Sequence, residues 1–514
     1  MIHKENVRKT LISLMLTGML FAVVCSCSRS GDETILFFPE HKAVQVNPDT
    51  HLELTFPEPP VLGSSGKIRV YDAADNRLVD CLDLCIPPGP TTRDTSKGAV
   101  YTPVPYEYLP GRFTNANTKA GTPSGLAFPT SDAFQLSIIG NFTDGFHFYP
   151  VLIFGNKAII TLHHNLLEYG KRYYVQIDPG VLCLPDSSFS GVSGKKWTFS
   201  TKPAPPPSDS HEWVVSADGT GDFNTVQGAI DFLPDTSSVP RTLFVRNGTY
   251  DEIVYFRNKE NLVLRGESRE GVVIRYANNE VFNPHPVNLK TNEVPGTFPS
   301  RRAVFAMDHC RNIRLENLTI QNLSRGQAEG LLVNGSENSF YRVTIIGSGD
   351  ALQTNGSAYY SECLIVGDGD TVLGRGPAFF RNCELRSYWV FMWVRNTNEN
   401  HGLVFVNCLF RGLGEGETEI ARCPVNHGKT YPYSEVVLID CRLLGISPVG
   451  WGSIGGDTEH IRYWEYNSIH PESGKPLDIS QRHPASKQLT LPNDSLILAQ
   501  YRDPSFVLDG WLPE

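Results

Sequence analysis

A short segment with a cysteine in its second position recurs four times in the C-terminal half of this chain. The four copies are Glu362-Cys363-Leu364-Ile365, Asn382-Cys383-Glu384-Leu385, Asn407-Cys408-Leu409-Phe410 and Asp440-Cys441-Arg442-Leu443. The numbers of successive cysteines differ by 20, 25 and 33, which is the order of one coil of a solenoid. We therefore predict a right-handed parallel β-helix in which each coil buries its cysteine at the same interior position. A disulfide between neighbouring coils is the alternative for these cysteines.

Short apolar strands precede the cysteine repeat and favour the same architecture. They are Leu243–Arg246, Leu262–Arg265, Val272–Arg275, Ile313–Leu315 and Leu318–Ile320. Their alternation predicts side chains that face in turn into and out of the coil. The outward side chains of one sheet would then form a long groove that suits a polymer.

A proline-rich segment from Lys202 to Ser210 divides the chain into two parts,. Before it, alternating strands such as His51–Phe56 and Lys67–Tyr71 predict a β-sandwich. This part resembles a bacterial Ig-like domain in its Val46-Asn47-Pro48 opening and its Trp197–Thr201 end. The predicted all-β organisation is a signal peptide at 1–27, the sandwich at 28–201, the linker at 202–210 and the β-helix at 211–514.

The N-terminal residues have the pattern of an export signal. Lys4, Arg8 and Lys9 precede an apolar run, 11–24, that is too short for a comfortable membrane span,. The run ends before Cys25-Ser26-Cys27, and a small residue followed by a cysteine is typical of lipoprotein cleavage. We predict an exported protein with lipidation at Cys27, anchored to the outer membrane or cell surface. An ordinary cleaved signal, giving a periplasmic or secreted protein, is the alternative.

The charge balance and the remaining cysteines limit the partners. A formal net charge of −10 argues against nucleic acid as the main partner. It leaves room for an anionic polysaccharide in a local basic cleft. Cys81 and Cys85 lack a second cysteine or histidine pair that would complete a zinc site,. We expect no metal and no cofactor, and a monomeric protein.

Two aspartate motifs carry the densest chemical signal. They are Gly347-Ser348-Gly349-Asp350-Ala351-Leu352-Gln353 and Gly367-Asp368-Gly369-Asp370-Thr371-Val372-Leu373-Gly374. A separation of 20 residues is one coil, so Asp350 and Asp370 are expected on neighbouring rungs of one face. Two carboxylates that close favour different protonation states, which supplies an acid together with a nucleophile or base. Turn aspartates without a catalytic role are the alternative.

The region from Trp213 to about Asn467 resembles the pectin methylesterases, or pectinesterases. The matching motifs, in the order of that family, are Val214–Ile230, Gly248–Glu252, Glu316–Asn322, Gln327-Ala328, Gly349–Leu352, Asp370–Gly374 and Ile420–Arg422. The resemblance implies a β-helix enzyme that binds methyl-esterified pectin (homogalacturonan). It implies hydrolysis of the galacturonate methyl esters to methanol and pectate.

The resemblance also implies a role for each of four side chains. Asp370 would attack the C6 ester carbonyl as the nucleophile. Asp350 would protonate the leaving methoxide and then activate the hydrolytic water. Arg422 would orient Asp370 and keep it ionised, and Gln327 would donate to the oxyanion.

This chain departs from the family pattern beside the first aspartate. Gly349 stands where the family has a second oxyanion glutamine, and losing one such donor typically costs about 10²–10³ in rate. Gln353 and the backbone N–H groups near Gly349 are the candidate replacements. We also expect substrate contacts at Thr371 and at Trp451, which fits a Gly-Trp element of the family.

Two further tryptophans, Trp389 and Trp393, match no motif, and core packing is the favoured interpretation for both. A β-helix pectate lyase or polygalacturonase remains an alternative because Gly367–Asp370 resembles a calcium loop or an acidic pair. However, the polygalacturonase Gly-His-Gly and Arg-Ile-Lys elements are missing from the sequence. A non-catalytic pectin-binding β-helix is the other alternative, to which Gly349 gives some weight.

Overall fold

The computed structural model describes residues 35–92, 134–139, 145–184, 189–283, 300–414, 417–422, 425, 430–452, 454 and 456–513. The predicted signal peptide, with its lipidation site at Cys27, lies outside the described residues. All four predicted catalytic side chains lie within them.

Two facing sheets enclose a shared core in the described part of the chain before the proline-rich segment. The strands are β1 Leu36–Phe38, β2 Ala43–Val46, β3 Leu52–Thr55, β4 Val61–Leu62, β5 Lys67–Asp72, β6 Leu78–Asp83, β7 Leu136–Ile138, β8 Gly145–His147, β9 Val151–Phe154, β10 Lys157–Ile160, β11 Arg172–Ile177, β12 Leu182–Cys183 and β13 Thr198–Thr201. The sheets have the orders β1-β3-β10-β9 and β2-β13-β11-β5-β6. Phe56, Val70 and Trp197 are at most 1% exposed in the core between them. The predicted β-sandwich is confirmed, whereas its Ig-like character stays a prediction.

After the proline-rich segment, the described residues form one continuous parallel sheet wound into coils, together with short helices. Its elements are β14 Glu212–Val215, α1 Val226–Phe232, β15 Arg241–Val245, β16 Gly248–Asp251, β17 Val254–Arg257, β18 Glu260–Gly266, β19 Val272–Tyr276, β20 Phe305–Asn322, β21 Leu331–Ser336, β22 Asn338–Ile346, β23 Leu352–Ser361, β24 Leu364–Val366, β25 Val372–Arg381, β26 Glu384–Ser387, β27 Met392–Val394, β28 Leu403–Val406, β29 Leu409–Gly412, β30 Glu435–Ile439, β31 Arg442–Leu444, β32 Arg462–Tyr466, β33 Lys487–Gln488, α2 Ser495–Arg502 and α3 Pro504–Val507. Strands pair with those one coil away, so Leu331 faces Leu352 and Leu352 faces Val372. The predicted right-handed parallel β-helix is confirmed.

The cysteine repeat marks a tight turn that recurs on successive coils. The residue before each cysteine has a left-handed backbone, with φ of 54° at Glu362, 55° at Asn382 and Asn407, and 56° at Asp440. Asparagine and aspartate tolerate this conformation better than most residues. The Asn407 side-chain amide donates to Asn382 Oδ1 at 2.7 Å, which ties one turn to the next.

The cysteines that follow these turns point into the β-helix. Their thiols are free and at most 2% exposed, at Cys363, Cys383, Cys408 and Cys441. An aromatic column stacks beside them, with ring centroids 4.6 Å apart for Phe340 and Tyr360, 4.5 Å for Tyr360 and Phe380, and 4.4 Å for Phe380 and Phe405. The predicted interior stacking of the cysteines is confirmed, and the alternative disulfides are not formed.

The sandwich contacts the first coil directly. The Asp49 carboxylate accepts the backbone N–H groups of Asn224 at 2.9 Å and Thr225 at 2.8 Å, just before α1. At the other end, α2 and α3 cover an outer face of the coils, where Leu498 and Val507 are each 1% exposed. No helix among the described residues is long and apolar enough to cross a membrane.

Candidate active site

Asp350 and Asp370 lie at the same position on neighbouring coils. Asp350 lies two residues before Leu352 on β23, and Asp370 lies two residues before Val372 on β25. Leu352 and Val372 are paired residues of these neighbouring strands. Both have a left-handed backbone, with φ of 54° and 42°, and the Asp350 N–H donates to the Gly369 carbonyl at 3.0 Å. The coil geometry therefore brings the two predicted catalytic carboxyl groups together.

The Asp370 carboxylate is held by Arg422 from a later coil. Arg422 Nε donates to one carboxylate oxygen at 2.7 Å and its terminal nitrogen donates to the other at 2.6 Å. The same guanidinium lies 4.2 Å from the ring centre of Trp393. A two-point ion pair of this kind fixes the plane of the carboxylate and leaves its outward lone pairs accessible.

Asp350 occupies a very different environment. It is 7% exposed, and burial raises its pKa to about 7, against the opposing effect of the Arg302 guanidinium. The charges of Glu329 and Asp370 also raise the pKa, and Arg302 donates to Asp350 Oδ2 at 2.9 Å. Asp350 is consequently a carboxyl group that holds its proton close to neutral pH, beside a carboxylate paired with arginine.

Arg302 and Glu329 were not among the predicted site residues. Glu329 lies two residues before Leu331, which faces Leu352, so it extends the row of Asp350 and Asp370 by one coil. The signal was present in the sequence, because Glu329 stands 21 residues before Asp350. That separation is the length of one coil. The sequence around Arg302 contains no spacing or motif that would have predicted its place in the site.

Gln327 lies at the surface of the groove between two backbone anchors. The Gly326 N–H donates to Ser348 Oγ at 3.1 Å, and the Ala328 N–H donates to the Ser348 carbonyl at 3.0 Å. Ser348 Oγ in turn donates to Asp368 at 2.8 Å. The predicted oxyanion donor thus projects from a loop that is bonded on both sides.

The backbone N–H of Gly349 does not replace the missing glutamine side chain. It donates to Asp368 Oδ1, so this donor is already engaged within the protein. Gln353, the other candidate replacement, is fully buried between Leu332 and Leu373 and does not line the groove. Both proposed substitutes are therefore unsupported by the geometry.

Two predicted substrate contacts are likewise absent from the groove. Thr371 follows Asp370 by one residue, but its side chain is fully buried and its hydroxyl donates to Ser387 Oγ at 2.8 Å. Trp451 is fully buried and stacks on Tyr463 with ring centroids 4.9 Å apart. The positions of Thr371 and Trp451 contradict the expected contacts, because neither side chain has an exposed surface.

An open groove of about 490 Å³ lies over the aspartate pair. Its lining residues are Arg325, Gly326, Gln327, Ser348, Gly349, Asp350, Asp368, Gly369, Asp370, Trp389, Val390 and Arg422. Trp389 is 73% exposed at its wall, so the core packing predicted for this residue is wrong. Trp393 is half-buried under Arg422.

Comparison with known proteins identifies the family of the coiled part. A sequence model of the pectinesterase family matches residues 212–484, more than half of the chain. The chain belongs to the pectinesterase family. This pectinesterase is therefore a carboxylic-ester hydrolase, and the lyase and polygalacturonase alternatives are not favoured.

Two plant proteins are among the relatives of this chain. Pectinesterase QRT1 of Arabidopsis thaliana is 29% identical over 54% of this chain and 73% of its own length. Pectinesterase 31 of the same plant is 26% identical over 54% of this chain and 86% of its own length. Among solved structures, pectin methylesterase from carrot has a TM-score of 0.49 at 22% identity, covering 58% of this chain and 94% of that chain. Pectin methylesterase PemA from Erwinia chrysanthemi has a TM-score of 0.46 at 23% identity, covering 59% and 98%.

The comparisons locate the match in the β-helix. They leave the sandwich outside the matched range, which starts at residue 212. Among the described residues, no group of three or more His, Cys, Asp or Glu side chains is placed to hold a metal ion.

Proposed function

We propose that the groove binds methyl-esterified pectin and hydrolyses galacturonate methyl esters through a covalent intermediate on Asp370. The observation that carries this proposal is the contrast between the two aspartates. Asp370 is paired with Arg422 at 2.7 and 2.6 Å, whereas burial raises the pKa of its neighbour Asp350 to about 7. A nucleophile and an acid that differ in this way are what ester cleavage needs.

In the first half-reaction, a carboxylate oxygen of Asp370 attacks the C6 carbonyl carbon of the ester. The tetrahedral intermediate collapses as the bond to the methoxy oxygen breaks, and Asp350 gives its proton to that oxygen. Methanol leaves, and the sugar remains joined to Asp370 as a mixed anhydride. Arg422 orients the attacking oxygen throughout this step.

In the second half-reaction, the ionised Asp350 removes a proton from water. The resulting hydroxide attacks the C6 carbonyl of the anhydride, and the bond to Asp370 breaks. Asp370 leaves as a carboxylate, Asp350 is protonated again, and the C6 group becomes a free carboxylic acid that ionises to pectate. Both aspartates thereby return to their starting states.

Gln327 is the side chain that we propose as the oxyanion donor. Its exposed position in the groove and the anchoring of its neighbours Gly326 and Ala328 to Ser348 support this role. With Gly349 in place of a second donor, we expect a rate about 10²–10³ below that of a site with both donors.

Two features of the groove support an anionic polymer as substrate. Arg325 places positive charge at its exposed wall, which attracts free galacturonate carboxylates. Trp389 offers an exposed ring on which a sugar can stack,.

We also propose that the protein acts outside the cytoplasm, carried by a lipid on Cys27. The support is the lipoprotein pattern of Cys25-Ser26-Cys27 after a short apolar run,. Metabolic labelling with a fatty-acid probe tests this proposal. The wild type should incorporate the label and Cys27→Ser should not, and a labelled Cys27→Ser protein would contradict it.

One assay on the wild-type protein tests the proposed reaction. Methanol release from methylated pectin, unchanged by a chelator, is the expected result. Formation of unsaturated products that absorb in the ultraviolet and require calcium would indicate a lyase instead. Binding of pectin with neither product would indicate a non-catalytic module.

A further inference from the structure

Five charged side chains form a row along the β-helix; the first four lie on successive coils, and the fifth lies two coils beyond the fourth. They are Arg302, Glu329, Asp350, Asp370 and Arg422, with the three carboxyl groups on consecutive coils in one register. Arg302 Nε lies 2.7 and 2.8 Å from the two Glu329 oxygens, and its Nη2 lies 2.9 Å from Asp350. The catalytic pair is therefore part of a longer row that has an arginine at each end.

The Arg302 end of this row is buried more deeply than the reacting end. Glu329 is fully buried, Arg302 is 8% exposed, and Glu280, a further partner of Arg302 at 3.4 Å, is 4% exposed. This end therefore holds three carboxyl groups, including Asp350, around one guanidinium. Burial of this kind favours the protonated form of a carboxyl group, because removing its charged form from water costs several kcal/mol.

We propose that Glu329 is a positioning residue: it pairs with Arg302, which also donates to Asp350, and by offsetting the guanidinium charge it keeps Asp350 in its proton-donating form. This inference rests on the proposed role of Asp350 as the acid. Glu329 is not in the groove lining, so it acts through Arg302 and not on the substrate.

The charges around Asp350 determine how its pKa changes when Glu329 is neutralised. Arg302 and Arg395 lower its pKa, while Glu329 and Asp370 raise it. Removing the charge of Glu329 leaves the full attraction of Arg302 on Asp350. Asp350 then loses its proton at a lower pH, and the enzyme loses its acid at that pH.

The test is the pH dependence of kcat/KM for methanol release in the wild type, Glu329→Gln and a control. In Glu329→Gln, we expect the fall of kcat/KM at alkaline pH (the alkaline limb of the profile) to begin about one pH unit lower than in the wild type. At acidic pH, kcat/KM should stay within a few-fold of the wild-type value. Glu384→Gln is the control, because Glu384 pairs with Arg386 and Arg411 on the surface, with 29% of its side chain exposed. Its profile should match that of the wild type.

Two more variants separate charge from structure. Glu329→Asp retains the carboxylate and should leave the limb near its wild-type position. The double variant Arg302→Met, Glu329→Gln removes the whole ion pair and should return the limb to the wild-type pH or above it. A folded Glu329→Gln with an unmoved limb overturns the inference, and so does a double variant whose limb stays low. Failure of the wild type to release methanol at any pH would instead overturn the proposed reaction.

Discussion

Arg422 holds both carboxylate oxygens of Asp370, at 2.7 and 2.6 Å, in a planar two-point contact. Lysine would keep the positive charge at this position but could make only a single-point contact. We expect Arg422→Lys to lower kcat by about 10- to 100-fold with little change in KM, because the nucleophile loses its fixed orientation. Methanol release measures both constants. Arg411→Lys, on the surface, is the matched control, and wild-type kcat in Arg422→Lys would contradict the orienting role.

The nucleophile itself can be tested by an isosteric change. Asp370→Asn removes the attacking oxygen anion while keeping the size of the side chain, so methanol release should fall by about 10³-fold or more. The circular dichroism spectrum and melting temperature should remain close to those of the wild type. Asp457→Asn, at an exposed turn, should retain full activity. Retained activity in Asp370→Asn would exclude this residue as the nucleophile.

Asp350 should make the folded protein less stable as the pH rises. Its pKa is raised from 3.8 to about 7 in the folded state, so the folded chain binds more protons than the unfolded chain between these values. Stability therefore falls with increasing pH in this window, and Asp350→Asn removes that loss. We expect the stability of Asp350→Asn relative to the wild type to rise by roughly 1 to 3 kcal/mol from about pH 5 to about pH 8.

Urea unfolding of the two proteins at both pH values measures this difference. Asp457→Asn is the control for the substitution itself, because Asp457 is exposed at a turn. A constant difference between Asp350→Asn and the wild type at both pH values would show that Asp350 has the same pKa in the folded and unfolded chains.

The fold followed from the sequence because its signal is local. Each copy of the cysteine segment contains its own turn, and residues such as Asn382 and Asn407 favour the left-handed backbone that the turn requires,. The proximity of Asp350 and Asp370 could then be predicted, because their separation in the sequence equals the length of one coil. Any side chain that repeats at that spacing is placed by the same argument.

The site residues that the sequence did not predict depend on contacts that no local pattern contains. Arg302 reaches Asp350 across 48 positions of sequence. Thr371 was assigned to the substrate by its motif position, but its side chain is fully buried against Ser387. Trp389 stands in an apolar run, Tyr388 to Met392, that looks like core. It is exposed because it lies in the short turn between β26 and β27.

Restoring the family glutamine should not rescue the oxyanion site. Gly349 has φ of 47°, and a Cβ there would lie 2.8 Å from the Gly326 carbonyl oxygen. A side chain at this position strains the backbone by about 1–2 kcal/mol and pushes on the loop that presents Gln327. We expect both Gly349→Gln and Gly349→Ala to have a lower kcat than the wild type. A tenfold gain in kcat for Gly349→Gln would show that the loop accommodates the second donor.

Trp389 should contribute to binding of the polymer and not to the chemical step. Its ring is 73% exposed at the groove wall, and loss of an aromatic contact is worth about 0.5–1.5 kcal/mol. Trp389→Ala should therefore raise KM for methylated pectin about 3- to 10-fold while kcat stays near the wild-type value. Tyr388→Ala is the matched control, because Tyr388 is the adjacent residue and is 55% exposed but does not line the groove. Equal KM increases in the two variants would argue against a sugar contact at Trp389, since general loss of exposed aromatic surface would then explain both.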